Sequence, residues 1–233
     1  NLWTSSDAGA TWTEVTSAGA AKNWVAIASS GDGARLAARR VFIVDPIDGT
    51  VNFMDGIPAY AVSVAAQVDG RSVAGAVVDV AREITYSAAL GRGAHLDAGA
   101  GRIALACNPI DRVDLALVAT GFSYDARRRA EQGAIVASLL PRVRDLRRVG
   151  AAALDLCMVA SGAVDAHFEH GLSPWDWAAG GLIAAEAGAV VQTPPPDSRA
   201  SDGHVTLACA PGVADGFVEL LDELGARRMM PAV

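Results

Sequence analysis

Hydrophobic and polar positions alternate over short stretches in the first half of the chain. The run Val41–Val44 is entirely apolar and predicts a buried strand. Three alternating stretches follow, at Tyr60–Gly70, Ser72–Val80 and Glu83–Leu90. The Asp69-Gly70 pair that ends the first of them is typical of a tight hairpin. We therefore expect an antiparallel meander in this part of the chain.

The second half alternates strand patterns with helical ones. Strand patterns cover residues 115–120, 164–169 and 204–210, and helical patterns cover residues 126–143, 151–162, 175–188 and 213–224. Gly162 and Gly188 stand at the ends of two of these helices, where glycine commonly terminates a helix. Sheets with helices packed on them predict an α/β (α+β) layered sandwich.

The first forty residues have a different character, since they are polar and rich in Ser, Thr, Gly and Trp. They predict short strands with tight turns. The segment Ser5–Trp12 resembles the Asp-box of β-propeller repeats, with Asp7 and Gly9 in the turn. Propeller blades occur in arrays, and only about one blade is present. We therefore expect residues 1–40 to be an Asp-box-like β fragment and residues 41–233 to be a separate domain.

Composition and charge narrow the possible partners. The chain has 233 residues and a net charge of −7, which argues against nucleic acid and anionic membranes because both need a basic surface. No apolar run is long enough to span a membrane and no secretory segment is evident, so a cytoplasmic protein is expected. The odd number of cysteines fits packing residues better than disulfides. A small-molecule substrate remains, and an anionic one would need bound divalent metal.

The sequence Asp45-Pro-Ile-Asp-Gly-Thr50 carries the strongest chemical pattern. Pro46 stiffens the turn that follows the strand, and two carboxylates and a carbonyl gather oxygen atoms on one side of it. The backbone N–H groups of a helix start lie on the other side and suit phosphate. Alone, the pattern is more typical of an acidic turn that leaves a strand. Asp176, in the first turn of a helix, is similarly explained by the helix dipole when taken alone.

Four segments together resemble the inositol monophosphatase family, the lithium-sensitive, metal-dependent phosphatases related to fructose-1,6-bisphosphatase. The resemblance covers residues 41 to about 224 and implies the layered sandwich of that family. The segments are Asp45–Thr50, Asn52–Pro58, Gly150–Glu169 and Pro174–Gly188.

The resemblance implies a role for each matching residue. Asp45, the Ile47 carbonyl, Asp48 and Asp176 would bind two or more Mg²⁺ ions. Gly49 and Thr50 would bind phosphate, and the Thr50 hydroxyl would orient the attacking water. The substrate would be contacted by Gly150, Ala151, Ala152 and Glu169, although Glu169 is equally well explained as an exposed strand end. The family also implies a possible homodimer.

One family motif is absent from the sequence. A Gly-Glu-Glu segment on an upstream helix normally supplies another metal ligand, and the acids before Val41 are only Asp7, Glu14 and Asp32. We also expect the opening helices of the family to be missing and replaced by the Asp-box fragment. We therefore expect a weakened metal site, reduced activity and apolar surface left uncovered on the sheet.

The leading hypothesis is Mg²⁺-dependent hydrolysis of a small polyol or sugar phosphate such as inositol monophosphate, with histidinol phosphate as an alternative substrate. A second hypothesis is a catalytically impaired scaffold that binds metal and phosphate without efficient turnover. A third, a propeller that binds glycans, rests on a single blade.

Two further clusters suggest functions that we consider weaker. The segment His167–His170 contains two histidines and a glutamate, but His167 and Glu169 face one side of a strand and His170 the other, which disfavours zinc. Arg127–Arg129 is expected to be a solvated helix face, or alternatively to lie near a dimer contact.

Overall fold

The computed structural model describes residues 3–4, 13–14, 40–99 and 101–231. Near the amino terminus, strands β1 (Trp3–Thr4) and β2 (Thr13–Glu14) pair antiparallel, in agreement with the short strands expected there. The Asp-box segment Ser5–Trp12 and the absence of opening helices fall outside the described residues, so both interpretations stay predictions.

The meander predicted for the first half of the chain is confirmed. Six strands pair antiparallel with their neighbours in chain order, which makes one sheet. They are β3 (Arg40–Asp48), β4 (Ala61–Val68), β5 (Arg71–Asp79), β6 (Ile84–Ala89), β7 (Ala94–Asp97) and β8 (Arg102–Ala104). Asp69 and Gly70 both have positive φ, 50° and 79°, as a two-residue hairpin turn with the twist of its strands requires.

The expectation of a fully buried strand at Val41–Val44 is wrong. Strand β3 forms, but Phe42 and Val44 are 47% and 49% exposed. Successive side chains of a strand point to opposite faces, and only the face that carries Ile43 packs into the core. The other face of β3 is apolar and accessible, because the core lies on only one face of this sheet.

A second sheet of five strands lies in the carboxyl-terminal half. Its strand order is β10-β9-β11-β13-β12, with β9, β10 and β11 parallel and β13 antiparallel to both of its neighbours. The strands are β9 (Leu117–Thr120), β10 (Asp145–Arg147), β11 (Ala166–His170), β12 (Val190–Gln192) and β13 (Val205–Cys209). The sequence analysis missed β10 and β12, which have 3 residues each and are too short for a periodicity to show.

Five α-helices complete the described fold. They are α1 (Thr50–Asp55), α2 (Ala126–Leu139), α3 (Ala152–Ala160), α4 (Pro174–Glu186) and α5 (Ala214–Glu223). Helices α3 and α4 contact each other and both sheets, and nearly every α3 side chain is buried, as expected of a helix enclosed on all sides. Helix α5 packs on the second sheet in a separate core with Leu139 of α2. The layers therefore run sheet, helices, sheet, helices.

Arg128 corrects the expectation that Arg127–Arg129 is a solvated helix face. Its side chain is 2% exposed, and its guanidinium donates to the carbonyls of Ala200, Ser201 and Pro231 at 2.7–2.9 Å. Carbonyl acceptors satisfy the two terminal nitrogens of the buried guanidinium without an acidic partner. Arg128 therefore fastens α2 to the loop before β13 and to the carboxyl-terminal segment. None of the helices in the described segments is long and apolar enough to cross a membrane.

The contact between α4 and the meander depends on a glycine. A Cβ placed at Gly75 of β5 would lie 3.0 Å from the Cα of Ala179 in α4 and 3.2 Å from its Cβ. The missing side chain lets the helix backbone approach the sheet closely, and this packing positions the amino terminus of α4.

We expect Gly75→Ala to lower the free energy of unfolding by ~1–3 kcal/mol, because the added methyl overpacks this contact. Gly133→Ala is the matched control: Gly133 lies inside α2 with open space around it, so the same change should stabilise by about 0.5–1 kcal/mol. Urea unfolding followed by circular dichroism measures both. Equal effects of the two substitutions would contradict the close approach.

Candidate functional site

A pocket of about 470 Å³ opens where β3, α1, β11 and the amino termini of α3 and α4 meet. Its volume falls in the range of small-molecule sites. Nine of the ten site residues expected from the sequence line it: Asp45, Ile47, Asp48, Gly49, Thr50, Gly150, Ala152, Glu169 and Asp176. Ala151 is not part of the lining, because it is buried in the core at 1% exposure.

The loop that carries the two aspartates is ordered by its own hydrogen bonds. The register of β3 against β4 shifts between Asp45 and Asp48, at a bulge on an edge strand where proline is tolerated. Asp45 Oδ1 accepts from the Ile47 N–H at 3.0 Å, and the Thr50 hydroxyl donates to the Ile47 carbonyl at 2.9 Å. Both aspartates are thereby aimed into the pocket.

Gly49 sits at the turn from this loop into α1. Its φ is 82°, and a Cβ would lie 2.7 Å from the Ala59 carbonyl oxygen and 3.2 Å from the Ala151 Cβ. Both the left-handed backbone and the lack of space require glycine here. The buried Asn52 then joins two walls of the pocket, because its amide donates to the Ala59 and Val149 carbonyls at 2.8 and 2.9 Å.

Backbone N–H groups hold the other two carboxylates in place. Asp48 is 7% exposed, and its Oδ2 accepts from the Ala153 N–H in the first turn of α3 at 2.7 Å. Asp176 Oδ2 accepts from the Ser173 N–H at 2.7 Å, which caps α4. Asp176 lies in the first turn of α4, where the helix-dipole explanation placed it, and the same side chain also reaches the pocket.

Asp45, Asp48 and Asp176 form a cluster in which one carboxylate oxygen of each lies within 4.8 Å of the others. Burial, followed by repulsion from the neighbouring carboxylates, raises the pKa of Asp48 and of Asp176 to about 7. Burial also raises the pKa of Asp45, although the hydrogen bonds that its carboxylate accepts from Ile47 and Asp176 oppose the shift. Three like charges this close are stable only if they are protonated or share a cation.

The donor set fits a hard divalent cation. All the side-chain donors of the cluster are carboxylate oxygens, and Ile47 lines the same pocket. Oxygen-only sites suit Mg²⁺, Mn²⁺ or Ca²⁺. No fourth carboxylate joins these three among the residues the structure describes.

Besides the three aspartates, four charged residues line the pocket: Asp125, Arg128, Arg148 and Glu169. Glu169 of β11 is partly exposed, and burial together with the charges of Asp176 and Asp48 raises its pKa to about 8. Its carboxylate occupies the space beside Gly121, where a Cβ would lie 2.2 Å from it. The exposed Arg148 also lines the pocket, and its charge opposes the pKa shift of Glu169. Arg148 lies in no sequence motif, and the sequence analysis therefore missed it.

We expect the metal-free protein to lose stability as the pH rises from about 4 to about 7. The pKa values of Asp48 and Asp176 are about 7 in the folded state against 3.8 for the free side chain. The native state thus binds protons that the unfolded chain has already lost in that window, and its advantage disappears as the pH passes the folded pKa.

Asp48→Asn should therefore stabilise the chain at about pH 8 in chelator, by on the order of 2 kcal/mol, since an amide can still accept from Ala153. Asp197→Asn, an exposed position remote from the cluster, is the control and should change little. Urea unfolding at several pH values in EDTA measures the effect. Stability that rises between about pH 5 and pH 8 would contradict the proton linkage.

The chain belongs to the inositol monophosphatase family, since the model of that family matches residues 21–225. It is 52% identical over 193 residues to inositol-1-monophosphatase SuhB of Mycobacterium tuberculosis, which covers 83% of this chain and 66% of that relative. The solved structure of Mycobacterium tuberculosis SuhB matches with a TM-score of 0.76 at 52% identity, over 81% of this chain and 74% of that chain. The layered α/β fold expected from the sequence is thereby confirmed.

A relative with lower sequence identity is named as a Nus factor and not as a phosphatase. The Nus factor SuhB of Escherichia coli is 42% identical over 151 residues, which is 64% of this chain and 55% of that protein. The chain spans 66% or less of the length of these relatives.

The family match begins 20 residues upstream of the domain boundary expected at residue 41. The comparisons give the Asp-box interpretation of the amino-terminal stretch no support. The division into residues 1–40 and 41–233 stays a prediction.

Proposed function

We propose that this chain hydrolyses the phosphomonoester of a small polyol or sugar, with inositol monophosphate as the default substrate. The convergence of Asp45, Asp48 and Asp176, from separate parts of the chain, in one pocket is the observation that carries the proposal. Membership of the inositol monophosphatase family supports it. The names of the mycobacterial relatives point to the same reaction.

The three aspartates and the Ile47 carbonyl would hold the metal, which we propose to be two or more Mg²⁺ ions. When bound, divalent cations lower the pKa of water and neutralise charge on the phosphate and the leaving oxygen. The carboxylates alone would repel a phosphate dianion, so substrate binding at this acidic pocket needs that charge reversal. By family resemblance, the site is expected to be lithium-sensitive.

The remaining pocket residues would bind and orient the substrate. Gly49 and Thr50 would offer backbone N–H groups to the phosphate, and the Thr50 hydroxyl, which stands beside the Ile47 carbonyl, would orient water. Gly150 and Ala152, which line the pocket, would contact the polyol. Glu169 would accept hydrogen bonds from substrate hydroxyls, and it is protonated in part near neutral pH because its pKa is about 8.

Arg148 adds a positive charge to this acidic pocket. A Cβ at Gly150 would lie 2.3 Å from an Arg148 guanidinium nitrogen, so the guanidinium crosses directly over the loop before α3. We propose that it attracts the anionic substrate toward the pocket. A homodimer and a cytoplasmic location remain proposals that rest on the family and on composition.

An impaired, ligand-binding scaffold is the second candidate. Within the described parts of the chain the metal cluster has only three carboxylates, and loss of a positioned base typically costs 10²–10⁴ in rate. Histidinol phosphate remains the alternative substrate if turnover occurs.

We expect Mg²⁺-dependent release of inorganic phosphate from inositol 1-phosphate, abolished by EDTA. Asp45→Asn should lower kcat/KM by at least about 10³-fold, because it removes a ligand charge from the cluster without changing its shape. Asp197→Asn should leave kcat/KM unchanged. Phosphate release is measured colorimetrically for each variant.

Turnover that survives EDTA or Asp45→Asn would refute the proposal. Calorimetric titration with Mg²⁺ and inorganic phosphate separates the two candidates. Binding of both without any turnover of inositol 1-phosphate or histidinol phosphate would establish the scaffold instead.

A further inference from the structure

A second cluster of metal-ligating side chains lies beside the three aspartates, between α3 and β11. It consists of Asp155, His167 and Glu169, with one ligand atom of each within 4.8 Å of the others. Asp155 comes from the first turn of α3, and His167 and Glu169 share one face of β11. The sequence analysis placed His167 and Glu169 on one face but did not find the third member, because Asp155 joins them only through the packing of α3 on the second sheet.

The strand alternation expected from the sequence is reflected in His170. Its Nε2 lies 2.6 Å from the Ala226 carbonyl oxygen, away from the cluster, and donates to it. A zinc site built on both histidines is therefore excluded, as the sequence indicated. The third member of the cluster is a carboxylate from α3 and not a second histidine.

Two members of the cluster are buried without partners. Asp155 and His167 are 1% and 0% exposed, yet neither oxygen of Asp155 and neither ring nitrogen of His167 has a hydrogen-bond partner. The nearest approach, from His167 Nδ1 to Asp155 Oδ2, is 3.9 Å, too long for a hydrogen bond. Buried polar groups are nearly always satisfied in native proteins, so these four atoms point to a ligand.

The donors indicate which ligand. An imidazole with two carboxylates is a set that zinc accepts readily, whereas Mg²⁺ favours oxygen alone. Tetrahedral ligands at 2.0–2.2 Å from zinc lie about 3.4 Å apart, only about half an ångström less than the separation of His167 and Asp155. The pKa of His167 is lowered by burial to about 3, so its ring is neutral, as a metal ligand must be.

We propose that Asp155, His167 and Glu169 form a binding site for a zinc-class divalent cation, separate from the three-aspartate cluster. Glu169 provides the route of entry, because it is partly exposed and lines the pocket. The open fourth position of a three-ligand zinc site would face that pocket. Gly121 keeps room for the Glu169 carboxylate next to the strand end.

Occupation of this site would change how the pocket treats its substrate, a consequence that rests on the proposed function. A cation bound by Glu169 takes up the oxygens that would otherwise accept hydrogen bonds from substrate hydroxyls. Zinc would then raise KM for a polyol phosphate in the presence of saturating Mg²⁺, while the three aspartates keep their own ions.

The site is tested by binding, without turnover. The full chain is dialysed against zinc in a large excess of Mg²⁺, and bound zinc is counted by elemental analysis. We expect one zinc per chain in the wild type. His167→Phe, which keeps an aromatic ring and removes both nitrogens, should weaken zinc binding by more than about 100-fold. His204→Phe, which removes an imidazole outside both clusters, should retain it.

Asp155→Asn keeps the shape of the side chain and serves as a second test if His167→Phe fails to fold, with circular dichroism as the check. Asp45→Asn should still bind the zinc, which separates this site from the proposed catalytic one. Zinc-edge X-ray absorption of the wild type should show an imidazole in the coordination shell. No zinc uptake in excess Mg²⁺, a shell without imidazole, or undiminished uptake by both cluster variants would overturn the proposal.

Discussion

The mutual repulsion of three partly buried carboxylates is the constraint on which the rest of the site depends. Asp45, Asp48 and Asp176 come from two regions of the chain more than a hundred residues apart, yet their oxygens lie within 4.8 Å. Such an arrangement is unfavourable unless other interactions fix it. Backbone N–H groups of Ile47, Ala153 and Ser173 provide that fixation, so the geometry is set by main chain before any cation arrives.

The two helices whose amino termini supply the Ala153 and Ser173 N–H groups are themselves held by close packing. Helices α3 and α4 are buried between the sheets, and α4 approaches the meander at Gly75. The packing of α3 and α4 therefore determines both the stability of the core and the shape of the pocket. A change deep in the helix layer moves the donors that hold Asp48 and Asp176.

Local patterns predicted much of this fold because they depend on neighbours in the sequence. The meander, the Asp69-Gly70 turn and the helices ended by glycine follow from periodicity and turn chemistry. Burial of single residues did not follow: Phe42 is exposed because it lies on the face of the meander away from the core, and Arg128 is buried because distant carbonyls accept its hydrogen bonds. Neither fact is encoded near the residue itself.

The candidate site divides along the same line. The family resemblance identified nine lining residues, whereas it implied no role for Arg148 or Asp155, which only tertiary packing brings to the site. A sequence motif reveals functional groups that lie close together along the chain. Charges that act across the pocket from other elements are visible only in three dimensions.

The bridging amide of Asn52 has a consequence for how this pocket receives a ligand. Because one side chain joins the turn after β3 to the segment before α3, the two walls form one rigid unit, and the distance between them is fixed. Ligands are then selected by how well they fit a pocket of fixed width and by movement of exposed lining side chains such as Arg148 and Tyr124. Hinge closure of either wall alone makes no contribution.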